Sequence, residues 1–346
     1  MADLIAWVMV LAIAAYACAG GTDYGAGFWD LLAGGAERGR RPRWLIDHAM
    51  APVWETNNVW LIFVLVIMWT GFPTLFQAVF TALWLPLALA AVGLVLRGAG
   101  FALRKPTRRL ARRRIYGAAF ALASLLTPFF LGAALGAVAA GRVAVGTTAS
   151  ADAWANPTSV LTGLLAVAAT AFLGAVFLCS DARRFDAEDL VNYFRVRALF
   201  AFAAVVVLAI VALPVTHDDA RYVWEGLTSG WGLLPVILAG VCGVATVALL
   251  LRRSYAWTRY TSVASVALIV VAWGLAQRPY LLPTSLTVSE AAGAAHTLRW
   301  LAIVTVIAVV LVGPALVLLY RLDTMGTLEP LTDTDTGAAK APGDNY

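Results

Sequence analysis

Hydrophobic residues fall in long unbroken blocks, separated by short stretches that hold most of the charge. A helix that crosses a bilayer needs about 20 mainly apolar residues. That criterion predicts nine such segments, with cores near 4–28, 56–77, 79–103, 115–140, 157–180, 196–215, 230–251, 258–277 and 298–320. The blocks lack the alternating pattern of a membrane barrel, and backbone polar groups inside a bilayer must bond within their own segment, so each block reads as a helix. The expected fold is all-α and polytopic. Pro73, in Gly71-Phe72-Pro73-Thr74, marks a nearly loopless turn between the second and third segments, because proline cannot donate the next helical hydrogen bond. The first block has no basic stretch before it and reads as a retained span rather than a cleaved leader. The longest connections, roughly 15 to 30 residues, leave no room for a soluble domain, so residues 1–322 are expected to form one membrane domain. Residues 323–346, polar and rich in Thr, Asp, Gly and Pro, read as a disordered tail.

Composition sharpens this picture. Hydrophobic residues make up 61% of the chain and charged ones 13%, against about 25% charged in soluble domains. The net charge of +5 would suit a nucleic-acid binder, but the basic residues sit in short caps between apolar blocks, where they serve as topology signals and lipid contacts. Arginine and lysine concentrate in alternate connections. Arg38, Arg40, Arg41 and Arg43 lie in the first, Arg104 to Arg114 with Lys105 in the third, Arg183, Arg184, Arg195 and Arg197 in the fifth, and Arg252, Arg253 and Arg259 in the seventh. Cytoplasmic loops carry such an excess, which places the N-terminus outside and the C-terminus in the cytoplasm.

Ionisable residues inside a span are costly enough to suggest function. Asp23 near the end of the first segment, Glu55 at the start of the second and Arg97 late in the third are expected within one or two helical turns in depth. A partly buried acid beside an arginine can trade protons near neutral pH. The same residues also suit a pair that merely neutralises charge between helices. Around Glu55, Asn57 and Asn58 offer hydrogen bonds that can extend a proton path, while Trp54 and Trp60 suit either that site or an interfacial aromatic belt. His48, His217 and His296 fall at segment ends or in connections, and Cys18, Cys179 and Cys242 lie apart inside apolar blocks. No haem, copper or zinc is expected to be held by this chain. Nucleotide-binding glycine patterns and zincin helices are absent from the sequence.

Four stretches resemble one family. Thr22-Asp23-Tyr24-Gly25-Ala26-Gly27 is similar to the D-x-G-x-G signature of the second subunit of cytochrome bd-type quinol oxidases, and Pro52-Val53-Trp54-Glu55-Thr56-Asn57-Asn58-Val59-Trp60-Leu61-Ile62 to its P-x-W-[DE]-x-N-x-V-W-L-I segment. Arg97-Gly98, Phe101 and Arg104 resemble the ending of its third helix, and Tyr280-Leu281-Leu282-Pro283-Thr284-Ser285-Leu286-Thr287 the loop before its last helix. The resemblance implies a heterodimer with a larger subunit I that carries haem b, haem d and the quinol site, in a bacterial cytoplasmic membrane. The complex would oxidise quinol and reduce dioxygen to water. It also implies a proton path from the cytoplasm through Glu55, Asp23 and Asn58, supported by Trp54, Asn57, Arg97 and Arg104. A structural quinone and small accessory subunits are compatible with it, and nucleic acid is not a partner. Two departures thin the carboxylates: Gly20 and Ala102 stand where many relatives carry acids. His296 has no counterpart in the family pattern.

Two other readings compete. A secondary transporter would also use a few buried polar groups on helices rich in small residues. A purely structural subunit would stabilise its partner and shield haem without carrying protons.

Overall fold

The computed structural model describes residues 1–35, 37–50, 57–104 and 110–324. Two units divide the chain, 1–302 and 303–346, the second described as far as residue 324. In chain order the helices are α1 (Ala2–Leu31), α2 (Arg40–Met50), α3 (Val59–Gly71), α4 (Pro73–Ala82), α5 (Trp84–Arg104), α6 (Leu110–Ala139), α7 (Pro157–Arg184), α8 (Glu188–Asp219), α9 (Arg221–Thr228), α10 (Leu233–Leu251), α11 (Thr258–Gln277), α12 (Val288–Ala291) and α13 (Ala295–Thr324). A two-stranded antiparallel pair, β1 (Tyr280–Leu282) with β2 (Leu286–Thr287), precedes α12. The second unit holds the rest of α13, an apolar helix that contains Pro314.

Among the described residues, eight helices are long and apolar enough to cross a membrane: α1, α5, α6, α7, α8, α10, α11 and α13. The chain is an all-α polytopic membrane protein. A ninth crossing is counted only if α3 and α4 are taken as one span, and they bend by 117° at Phe72. The turn at Gly71-Phe72-Pro73 therefore stands where the sequence puts it, but the segment boundaries move. The second segment stops at Gly71 rather than near 77, and the third starts at Trp84 rather than 79, with the ten-residue α4 between them. At about 1.5 Å per residue, α3 rises only about 20 Å. Its end is level with Ile5, whose side chain lies 3.4 Å from where a Cβ on Gly71 would sit. The carbonyl freed at the break accepts from the backbone of Gly293 at 2.8 Å. The break is thus satisfied by protein rather than left open in lipid.

The first connection also departs from expectation, since α2 occupies it and places Arg40, Arg41 and Arg43 on a short helix. Elsewhere local signals behave as expected. Pro157 sits in the first turn of α7, and the Asn156 side chain accepts from the backbone of Ser159 at 2.9 Å.

In the first unit α5 packs along α6, α6 along α7 and α7 along α8, while α1 lies against α3, α6, α7 and α11. Small residues permit the closest crossing. A Cβ on Gly25 of α1 would stand 1.9 Å from the Thr170 carbonyl and 2.8 Å from the Gly174 Cα of α7. One apolar cluster gathers Ile5, Met9, Ile67, Phe72 and Leu83 at the start of α1. A second gathers Trp29, Leu45, Phe101, Leu190 and Tyr255. These last four flank the four arginine-rich connections, and ion pairs Arg41–Asp189 (3.0 Å) and Arg259–Asp181 tie three of those connections together. At the opposite end Arg142 pairs with Asp219, and the Tyr222 hydroxyl donates to the Arg278 carbonyl at 2.7 Å.

Candidate functional site

Between the two apolar clusters, α1 turns Tyr16, Asp23 and Tyr24 inward. The D-x-G-x-G stretch has a steric reason. Gly25 lets α1 touch α7, and a Cβ on Gly27 would stand 2.1 Å from the Ser124 hydroxyl of α6. With α7 at backbone contact and α6 reaching α1 through Ser124, Asp23 is 3% exposed. Arg97, four residues before Phe101 on α5, is 2% exposed and points at the same place.

The Asn57 amide donates to Asp23 Oδ2 at 2.9 Å. Arg97 Nη2 stands 3.9 Å from that same oxygen, a charge contact beyond hydrogen-bond reach. The guanidinium instead lies over two rings, 4.7 Å from the centroid of Tyr24 and 5.6 Å from that of Phe120. Among the described residues, its Nε and Nη2 meet no hydrogen-bond acceptor. The Tyr16 and Tyr24 hydroxyls share a 2.7 Å hydrogen bond.

Magnitudes bear on what this cluster is for. Opposite charges about 4 Å apart attract by about 4 kcal/mol at an effective dielectric of 20. Desolvation costs several kcal/mol per ion and offsets that gain unless hydrogen bonds complete the pair. The guanidinium forms no hydrogen bond to Asp23, so stability alone is a weak reason for the pair to exist.

The structure brings together three of the residues singled out from sequence: Asp23, Asn57 and Arg97. Asn58 is half-buried at the start of α3, with its carbonyl accepting from the backbone of Leu61 and Ile62. Arg104 ends α5, and its side chain lies outside the described residues, as do Trp54 and Glu55. Sequence reasoning missed Tyr24 and Phe120, whose rings lie against Arg97, and Tyr16, which bonds Tyr24. It also missed Asp30, buried seven residues beyond Asp23, whose Oδ1 accepts from Arg43 Nε at 2.8 Å. A second acid two helical turns after the first was a readable signal. The tyrosine hydroxyls were not, since positions 16 and 24 stand about 12 Å apart along the helix, beyond the three- and four-residue spacings that make neighbours.

Of the histidines, His48 contacts the Trp44 carbonyl and His217 contacts Asp218, both at 2.7 Å, and His296 lies at the start of α13. Cys18 and Cys179 are buried, Cys242 is half-buried, and all three are free thiols. Among the described residues no three His, Cys, Asp or Glu side chains gather as a metal site.

Fold and cluster together define a multi-pass helical membrane protein with a buried acid–amide–arginine group where three of its helices meet. The chain belongs to the cytochrome bd terminal oxidase subunit II family, whose sequence profile it matches over residues 1–323. It is 24% identical over 358 aligned positions to cytochrome bd-I ubiquinol oxidase subunit 2 of Escherichia coli K12, covering 91% of this chain and 90% of that one. It is 20% identical to the putative cytochrome bd menaquinol oxidase subunit II of Bacillus subtilis 168, over 89% of this chain and 91% of that one. The bd oxidase of Geobacillus thermodenitrificans has a chain of the same fold, with a TM-score of 0.73 at 24% identity, covering 93% of this chain and 98% of that chain.

Proposed function

We propose that this chain is the haem-free partner in a quinol-oxidising, dioxygen-reducing complex of a bacterial cytoplasmic membrane, and that it supplies protons from the cytoplasmic face. Haem b, haem d and the quinol site belong in this account to subunit I, since the described histidines of this chain sit at helix ends in contact with local groups or near a helix start. The N-terminus lies outside, the arginine-rich connections and the C-terminus face the cytoplasm, and quinol comes from the membrane pool. The relatives named for ubiquinol and for menaquinol leave both quinols compatible with this chain.

The observation that carries the proton reading is the buried Asp23–Asn57–Arg97 group. Asp23 contributes a carboxyl able to take up and release a proton at Oδ1 or Oδ2. Asn57 orients it through one hydrogen bond, and Arg97 adds positive charge nearby without occupying its lone pairs. Chain connectivity keeps the Cα of Glu55 within about 7 Å of the Cα of Asn57. Glu55 is therefore assigned the outer station of the path and Asp23 the inner one, with Asn58, Trp54 and Arg104 flanking it. The haems supply the oxygen chemistry when bound in the partner.

Replacing Glu55 by alanine in the complete oxidase tests the path. Oxygen consumption with quinol is expected to fall at least about tenfold, a fraction of the roughly hundredfold or more that a positioned proton-transfer group supplies, at unchanged haem content and subunit ratio. Normal turnover in an assembled complex contradicts it. Lost assembly would instead favour the structural reading, in which the charge pair only joins helices.

A further inference from the structure

The geometry points to Tyr24, Phe120 and, through Tyr24, Tyr16 as positioning residues that hold the Arg97 guanidinium beside Asp23 at a distance where it does not hydrogen-bond the carboxyl. This inference rests on the proton-intake reading of Asp23.

Arginine and a buried carboxylate ordinarily close into a hydrogen-bonded, often bidentate contact at about 2.7–2.9 Å. Arg97 and Asp23 are both nearly fully buried, yet they stand 3.9 Å apart at their nearest. Something other than mutual attraction sets the guanidinium's place. The Tyr24 and Phe120 rings flank it at 4.7 and 5.6 Å, within the range at which a cation is held by an aromatic face. Its Nε and Nη2 donors go without acceptors among the described residues, so hydrogen bonds from these two nitrogens do not explain its place.

Tyr24 is itself fixed from a distance. Its hydroxyl bonds that of Tyr16, eight residues earlier on the same helix, at 2.7 Å, with the rings edge to face. The Tyr16 ring reaches it by passing over Gly20, where a Cβ would stand 2.9 Å from Tyr16 Cε2 and 3.1 Å from Cδ2. A side chain at position 20 would push the ring out of that lane. Gly20 thus admits Tyr16, Tyr16 tethers Tyr24, and Tyr24 and Phe120 each present a ring to Arg97. The consequence falls on Asp23: its Oδ2 takes one hydrogen bond, from Asn57, and stays clear of a second from Arg97 that would compete with proton transfer.

Among the described residues, the charged and titratable groups around Asp23 are Arg97 from α5 and Tyr16 and Tyr24 from α1. From α6 come Phe120 and Ser124, and from α7 Thr170, none of them charged. Glu55 precedes Asn57 by two residues.

The test uses the assembled oxidase with quinol-driven oxygen consumption measured across pH, together with haem content. Tyr24→Leu removes the ring and is expected to lower kcat about threefold to thirtyfold, the equivalent of one cation–ring contact. It should also displace the pH profile by about half a unit or more, with KM for quinol unchanged. Tyr24→Phe keeps the ring but loses the hydroxyl tether, and should fall between wild type and Tyr24→Leu, matching Tyr16→Phe. Tyr16→Phe removes only the tether and should lower kcat about twofold to tenfold. A fully haem-loaded Tyr24→Leu complex with the wild-type pH profile and kcat overturns the proposal. Should Tyr24→Leu fail to assemble, Phe120→Leu carries the same expectation and the same contrary outcome. A parallel Asp23→Asn complex separates the two ideas. If it turns over normally, the proton reading and this inference fall together. If it is slow while both leucine variants match wild type, only the positioning role is lost.

Discussion

Two carboxylate–arginine pairs lie seven residues apart on α1, and they are built in opposite ways. Asp30 is bonded by Arg43 Nε at 2.8 Å, and the other guanidinium nitrogens donate to the Gly35 and Gly34 carbonyls at 3.2 and 2.5 Å. Those carbonyls follow the end of the helix, where Gly34 takes the left-handed conformation with φ of +92°. The arginine side chain keeps 27% exposure, so its charge is only partly desolvated. This pair latches α2 to the end of α1. Asp23 and Arg97 are buried to 4% and 3% side-chain exposure, stand 3.9 Å apart, and leave guanidinium donors without acceptors among the described residues. Residue types are therefore a poor guide to role. Satisfied donors and a part-exposed arginine suit a structural clasp, whereas a buried and incompletely bonded pair is the arrangement the proposed proton site calls for.

The largest expected contrast is in turnover. Asp23→Asn should slow oxygen reduction at least about tenfold in an oxidase of normal haem content, while Asp30→Asn should leave it within about twofold. Equal loss in both variants would erase the distinction. Stability should show the reverse order. Arg43→Ala gives up a charge-assisted bond and two carbonyl contacts, and should lower thermal stability by about 1.5–3 kcal/mol. Gly25→Ala forces α1 away from α7 and should cost about 1–3 kcal/mol through overpacking. It should slow turnover as well, because Asp23 travels with the helix. The smallest change belongs to the double variant Asp23→Asn/Arg97→Met. Its stability should stay within about 1 kcal/mol of wild type, since a buried pair replaced on both sides loses little. A cost above that of Arg43→Ala would show that the Asp23 pair is itself a structural clasp.

Much of this was legible in the sequence, for identifiable reasons. Long apolar blocks specify spanning helices because lipid offers the backbone no partners, so the all-α fold follows directly. Asp23 and Arg97 were picked out because charge within apolar blocks is costly, and Asn57 because of its place beside Glu55. Less visible was what depends on the path of short segments. Counting hydropathy carried the second block through the Gly71-Phe72-Pro73 turn to residue 77, because α4, though less apolar than the helix before it, carries no charged residue to interrupt the block. The arginines of the first connection read as topology signals and concealed α2, whose Arg43 makes the latch. Tyr16 and Tyr24 passed unnoticed because an aromatic residue in an apolar block looks like packing. Only the backbone approach at Gly25 and the open lane at Gly20 reveal that their hydroxyls meet.

The central claim is that protons consumed at the haems enter through Asp23. Its most direct test is the rate of proton uptake from bulk solution when the fully reduced oxidase meets oxygen, measured with a pH-sensitive dye in wild-type and Asp23→Asn complexes of equal haem content. The account predicts uptake slowed at least about tenfold in the variant, with oxygen binding to the haem unchanged. Uptake at the wild-type rate would contradict it and leave the Asp23–Arg97 pair as a joint between helices.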